Sequence, residues 1–140
     1  MRHAKTKLIA LVVGFVVYLS LQILSMTLLR DVYVFGWMAD HLYCYTWAAV
    51  IVLIAFDQTL LSYFVTFGSV CATIVGELLG GFIQELRMSQ VTADMTVEEI
   101  EFRRINYGVL PIWFIVFFLF LIVGIAVNII QKKKARQVSA

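Results

Sequence analysis

LIALVVGFVVYLSLQILSMTLL, residues 8–29, runs for 22 positions without a charge. A helix of about 20 apolar residues crosses a ~30 Å hydrocarbon core, and a helix satisfies all of its own interior backbone groups, as lipid requires. The stretch therefore predicts a transmembrane helix, and the rest of the chain can be divided in the same units. The apolar block from Leu42 to Ile83 is twice too long for one crossing and is interrupted by Asp57-Gln58-Thr59. It divides into a second span over 38–56 and a third over 60–83. Val109 to Ile130 makes a fourth, with Pro111 in its first turn, where a missing N–H does least harm. The chain is 62% hydrophobic and 14% charged, against roughly 25% charged in a soluble domain. The expected fold class is an all-α integral membrane protein, a four-transmembrane-helix bundle. It forms one membrane domain over 1–140, with an extracytoplasmic loop over 84–108. The basic leader ahead of residue 8 also suits a signal peptide, but apolar signal cores are about 7–15 residues long and end at a small-residue cleavage site. Here the run continues to Arg30-Asp31, so a retained span is expected.

Cytoplasmic flanks collect Lys and Arg. Arg2, Lys5 and Lys7 precede span one, and Lys132, Lys133, Lys134 and Arg136 follow span four. Both termini are therefore expected in the cytoplasm, which requires an even number of spans. Arg30, Arg87, Arg103 and Arg104 then face outward, the last three in a loop that is net acidic through Glu85, Asp94, Glu98, Glu99 and Glu101. Trp37, Trp47 and Trp113, with Tyr33, Tyr43, Tyr45 and Tyr107, fall near the outer boundary, as in an interfacial aromatic belt.

Little in the chain points to chemistry. Cys44 and Cys71 differ in depth along their spans, whereas a disulfide needs Cα atoms within roughly 7 Å, so buried structural thiols are expected. His3 and His41 lack ligand spacing to either cysteine, and no metal, cofactor or nucleic-acid motif is present. Catalysis needs convergent acid, base or nucleophilic groups. Asp40, His41 and Glu77 share only the outer side, so no catalytic residue is assigned and an enzyme is not expected.

Span three carries the most information. Gly68, Ala72, Gly76 and Gly80 recur at every fourth position, a small-residue stripe that lets another helix approach backbone to backbone. Packing against span one or two, self-association, or a substrate path are its three readings. A second row, Ser69, Thr73, Glu77 and Gly81, edges the same face. Glu77 is the only ionisable side chain well inside a span, and intramembrane carboxylates are functional candidates by default. It lies about 25 Å from Leu60 at a 1.5 Å rise, in the outer third, within reach of Arg30 or Arg87. A desolvated proton- or cation-binding carboxyl is the sharper reading. In span one, Tyr18, Gln22 and Ser25 share a face, and the Gln22 amide calls for a partner such as Thr73 or Glu77. Span four has no polar face in 112–121, as expected of a helix surrounded largely by lipid.

In the loop, Thr96 and Glu99 match a capping box, predicting a helix from Val97, with Ile100, Phe102 and Ile105 toward the membrane and Glu98, Glu101 and Arg104 toward water. The loop is either a solvated connector or a docking surface. The basic C-terminal run suits anionic lipid, about 1 kcal/mol per charge. Spans one and two do not repeat in three and four, as an inverted-repeat transporter would show, and small multidrug transporters carry their glutamate in the first span rather than the third. Two function classes remain: a non-enzymatic accessory or protective, immunity-type membrane protein, or a small oligomeric transporter or channel using Glu77. The expected partners are the bilayer and a protein partner or second copy docked through span three. The expected site is the bacterial cytoplasmic membrane.

Overall fold

The chain's single proline stands within the first turn of its helix, so none of the apolar blocks is barred from continuous helix. The computed structural model describes residues 2–104 and 108–138, with the side chains of all but 2, 3, 135, 136 and 138. Regular structure among them is helical: α1 (Arg2–Met26), α2 (Tyr33–His41), α3 (Tyr43–Ala55), α4 (Thr59–Met88), α5 (Val97–Arg104) and α6 (Val109–Val138). α1, α4 and α6 are long and apolar enough to cross a membrane, and α2 with α3 makes a fourth candidate if the bent pair counts as one span. At 30 residues each, α4 and α6 are about 45 Å long and overrun the expected spans, α4 through Met88 and α6 through Val138.

The continuous helix expected over 38–56 is not present: α2, from Tyr33, and α3 meet at Leu42 with a bend of 56°, a broken span or a re-entrant loop, with neither glycine nor proline at the joint. The cause is local polar chemistry. His41 Nδ1 lies 2.9 Å from Trp37 O, and Thr46 Oγ1 donates to Leu42 O at 3.0 Å and Tyr43 O at 3.1 Å. Side chains that take carbonyls of the adjacent turn bend helices.

α4 is the hub and touches every other helix. Packing against span one or two was one of three readings of its small-residue stripe; Gly68 and Gly76 of that stripe meet α6. Gly68 lies under Phe120, so close that a Cβ on Gly68 would stand 2.7 Å from Phe120 Cβ. Gly76 lies under Val109 and Trp113, and in reverse Gly124 of α6 receives Phe64 and Leu61 of α4. α6 is thus not apolar on all sides to no purpose: one face interlocks with glycines while Phe114, Phe118 and Ile122 stay exposed. Between apolar helices in an apolar solvent, shape and van der Waals contact decide which faces meet, and glycine opposite phenylalanine is the tighter fit. Trp113 also departs from the aromatic-belt expectation, being 2% exposed and stacked on Phe117 with ring centroids 4.9 Å apart. Tyr107 and Ile105 lie outside the described residues.

The α3–α4 turn is a Schellman-type closure: Gln58 N–H donates to Leu53 O at 2.8 Å and Asp57 N–H to Ile54 O at 3.2 Å. Asp57 holds the left-handed position at φ 59°, where glycine is usual and Asp is tolerated. Its carboxylate pairs with Lys7 Nζ at 2.7 Å. Beside it, Gln58 Oε1 accepts from Asn128 Nδ2 at 2.6 Å and Lys132 Nζ at 3.0 Å. The start of α1, the α3–α4 turn and the latter part of α6 are therefore tied together at one end of the bundle. At the other end, Thr96 N–H donates to Glu99 Oε2 at 2.9 Å and Glu99 N–H to Thr96 Oγ1 at 3.3 Å, closing the expected capping box at the start of α5.

Candidate functional site

α4 places Ser62, Thr66, Ser69 and Thr73 at spacings of four, three and four, so their hydroxyls line one face. All four are buried. Each donates its proton to its own helix: Ser62 to Thr59 O, Thr66 to Ser62 O, Ser69 to Thr66 O and Thr73 to Ser69 O, at 2.7–2.9 Å. With their protons committed to backbone, these oxygens are left as acceptors for neighbouring helices. The Tyr18 hydroxyl of α1 meets Ser69 Oγ at 3.0 Å, and the Trp113 indole N–H of α6 donates to Thr73 Oγ1 at 3.1 Å. Three helices are cross-linked through two hydroxyls one turn apart.

Toward the α5 end of α4 the satisfaction stops. The Tyr43 hydroxyl lies near those of Ser25 and Thr73 but closes no hydrogen bond with either. Ser25 Oγ, Tyr43 Oη and Glu77 Oε2 are all shielded and have no hydrogen-bond partner. Unpaired buried polar atoms cost roughly 1–3 kcal/mol each, so packing alone does not account for these three.

The sequence-derived residues divide accordingly. Thr73 sits at the α1–α4–α6 junction. Gly68, Ala72, Gly76 and Gly80 are buried, and the first and third of them lie under α6. Glu77 stands one turn beyond Thr73 on the same face, but pairs with neither Arg30 nor Arg87: among the described residues the ion pair is Lys7–Asp57. Gln22 does not reach Thr73 or Glu77. Its amide N–H donates to Ala39 O at 3.3 Å, because the bend at Leu42 brings α2 over α1 and offers a carbonyl nearer than the α4 side chains. Cys44 and Cys71 are free thiols, Cys44 exposed. Among the described residues no three of His, Cys, Asp or Glu gather as metal ligands.

Sequence reasoning missed Tyr43, Trp113 and the Gln58–Asn128–Lys132 knot. Asn128, the only amide among residues 109–130, was a legible signal; Trp113 carried none, being indistinguishable in sequence from an interfacial tryptophan. Outside the bundle, α5 and the end of α4 enclose a broad cleft of about 980 Å³ between Arg87, Gln90, Thr96 and Phe102, braced by Arg103 donating to Gln90 Oε1 at 3.2 Å. Hydrogen bonds from Thr96 to Glu99 and from Thr92 to Asp94 hold both carboxyls below their ordinary values. No protein family, curated protein or solved structure matches this chain, so its own residues carry the functional reading.

Proposed function

We propose that this chain is a four-span membrane protein with both ends cytoplasmic, acting without catalysis as an accessory subunit of a membrane complex or as a protective, immunity-type protein of the bacterial inner membrane. The clustering of Lys7 and Lys132 at one end of the bundle supports that orientation under the positive-inside tendency. The observation that carries the role is the closure of the α4 small-residue face by Phe120, Trp113 and Val109. That face was the natural wall of a conduit, and α6 fills it. Tyr18, Ser69, Thr73 and Trp113 are likewise occupied by one another, which suits a scaffold held in one shape.

A transporter or channel is the second reading, favoured by Glu77 Oε2, shielded and without a partner. Ion flux separates the two. The purified chain reconstituted alone in liposomes is expected to leave proton and monovalent-cation leak at the level of empty vesicles. Flux that rises with protein and falls in Glu77→Gln overturns the accessory reading in favour of transport.

A further inference from the structure

The wedge between α1 and α2–α3 holds two adjoining cavities. The bend at Leu42 swings α2 back toward α1, and Gln22 pins it there through Ala39 O. Near the α1–α2 turn lies a cavity of about 380 Å³ lined by Ser25, Met26, Arg30, Gly36, Ala39 and Asp40, within the roughly 300–1,000 Å³ of ligand pockets. Gly36 packs so close to the turn that a Cβ there would stand 3.3 Å from Arg30 O, which keeps this cavity free of side chain on that wall. Below it runs an open groove of about 260 Å³, walled chiefly by Phe15, Leu19, Tyr43 and Trp47. Ala39 lines both, so the two adjoin at one small residue.

Their chemistry differs in a telling way. The upper cavity presents one cation and one anion, Arg30 and Asp40, which pair neither with each other nor with any other described residue. It also presents Ser25, 1% exposed, whose Oγ has no hydrogen-bond partner. The groove beneath is aromatic and aliphatic. A site with separated opposite charges, a buried hydroxyl and an apolar trench leading away matches an amphiphile whose head is a zwitterion.

We infer that this wedge binds one phospholipid with a phosphoethanolamine headgroup from the outer leaflet. Arg30 takes the phosphate as a bidentate donor, Asp40 takes the primary ammonium, and one acyl chain lies along Phe15, Leu19 and Trp47. The inference rests on the membrane placement proposed above. A primary ammonium can donate N–H to Asp40 and a quaternary one cannot, so ethanolamine is favoured over choline. A glycerol headgroup leaves Asp40 facing net negative charge.

The test is native mass spectrometry of the purified full chain titrated in detergent with phosphatidylethanolamine, phosphatidylcholine and phosphatidylglycerol of identical acyl chains. One phosphatidylethanolamine per chain is expected to be retained about tenfold better than either competitor, the scale of one charge-assisted hydrogen bond. Asp40→Asn is expected to abolish the preference while retaining lipid, Arg30→Gln to weaken all three lipids, and Ala39→Phe to lower binding by obstructing the passage between head and tail sites with both charges intact. Unchanged thermal unfolding qualifies each variant, and if one fails to fold the other two still decide. Equal retention of the three lipids by the native chain overturns the inference, as does unchanged preference in Asp40→Asn. Competition by soluble glycerophosphoethanolamine at the same concentration as the diacyl lipid overturns the lipid assignment in favour of a free zwitterion. Recovery of the chain in the soluble fraction after an alkaline membrane wash refutes the membrane placement itself, whereas a membrane-embedded chain without lipid preference refutes only this site.

Discussion

Replacing Gly68 by alanine places a methyl group where α6 already stands. Its Cβ would lie 2.7 Å from Phe120 Cβ and 3.1 Å from Phe120 Cγ, against 3.4–4 Å in ordinary contact. The obstructing atom is Cβ, next to the backbone, so rotating the phenyl ring gives no relief and the helix axes must part by about 0.7 Å, an overpacking strain of about 1–3 kcal/mol. Helix propensity acts in the opposite sense, since alanine exceeds glycine by up to about 1 kcal/mol. Gly81 separates the two effects: it belongs to the same helix, and a Cβ there meets nothing within 4 Å. Gly81→Ala is therefore expected to be neutral or stabilising by up to about 1 kcal/mol, and Gly68→Ala to be destabilising by a net amount of up to about 2 kcal/mol, a shift of up to roughly thirtyfold in the folding equilibrium. The assay is reversible unfolding in mixed micelles of rising denaturing-detergent fraction, followed by far-UV circular dichroism. Equal stability of Gly68→Ala and Gly81→Ala would refute the close pairing of α4 with α6.

Further predictions follow from other contacts. Trp113→Phe and Thr73→Val, singly and together in the same unfolding assay, should show a coupling of about 0.6 kcal/mol, the average for interhelical hydrogen bonds in membranes; strict additivity would mean that the 3.1 Å contact contributes nothing. Gln58→Leu leaves the Asn128 amide without its acceptor and should cost about 1–3 kcal/mol, whereas Asn128→Leu in the same background should restore part of the loss; no recovery would count against the pairing. Because the Thr96 hydrogen bonds hold the Glu99 carboxyl below its ordinary 4.5, the capping box stabilises α5 fully above that value and loses this contribution as pH falls through the lower folded-state value. Amide chemical shifts of residues 97–104 should titrate with a midpoint under 4.5 and lose that transition in Glu99→Gln; a midpoint at or above it would contradict the box.

The parts of the bundle legible in the sequence are those set by local chemistry. Uncharged length marks α1, and the Asp57-Gln58-Thr59 interruption places the start of α4. Thr96 and Glu99 announce α5 because a capping box is closed within four residues. What was not legible depends on which faces meet. In water a buried helix face betrays itself by being apolar, but α6 is apolar all round, so its residues do not distinguish the face against Gly68 and Gly76 from the faces left exposed. The bend at Leu42 escaped notice for a related reason: it arises from Thr46 and His41 bonding to backbone, with no glycine or proline to mark it. That bend redirected Gln22 from α4 to Ala39 O and created the α1–α2 wedge, which no spacing of residues announces. Glu77 and Thr73 were visible as polar residues on one face of α4; the Tyr43 hydroxyl and Trp113 indole beside Thr73 come from other helices and needed the packing.

The accessory role is tested most directly by native mass spectrometry of the protein extracted gently from its own membrane. A stable complex of fixed stoichiometry with other polypeptides is the predicted result. A discrete homo-oligomer without other chains would contradict it and direct attention to Glu77 as the centre of a transport site.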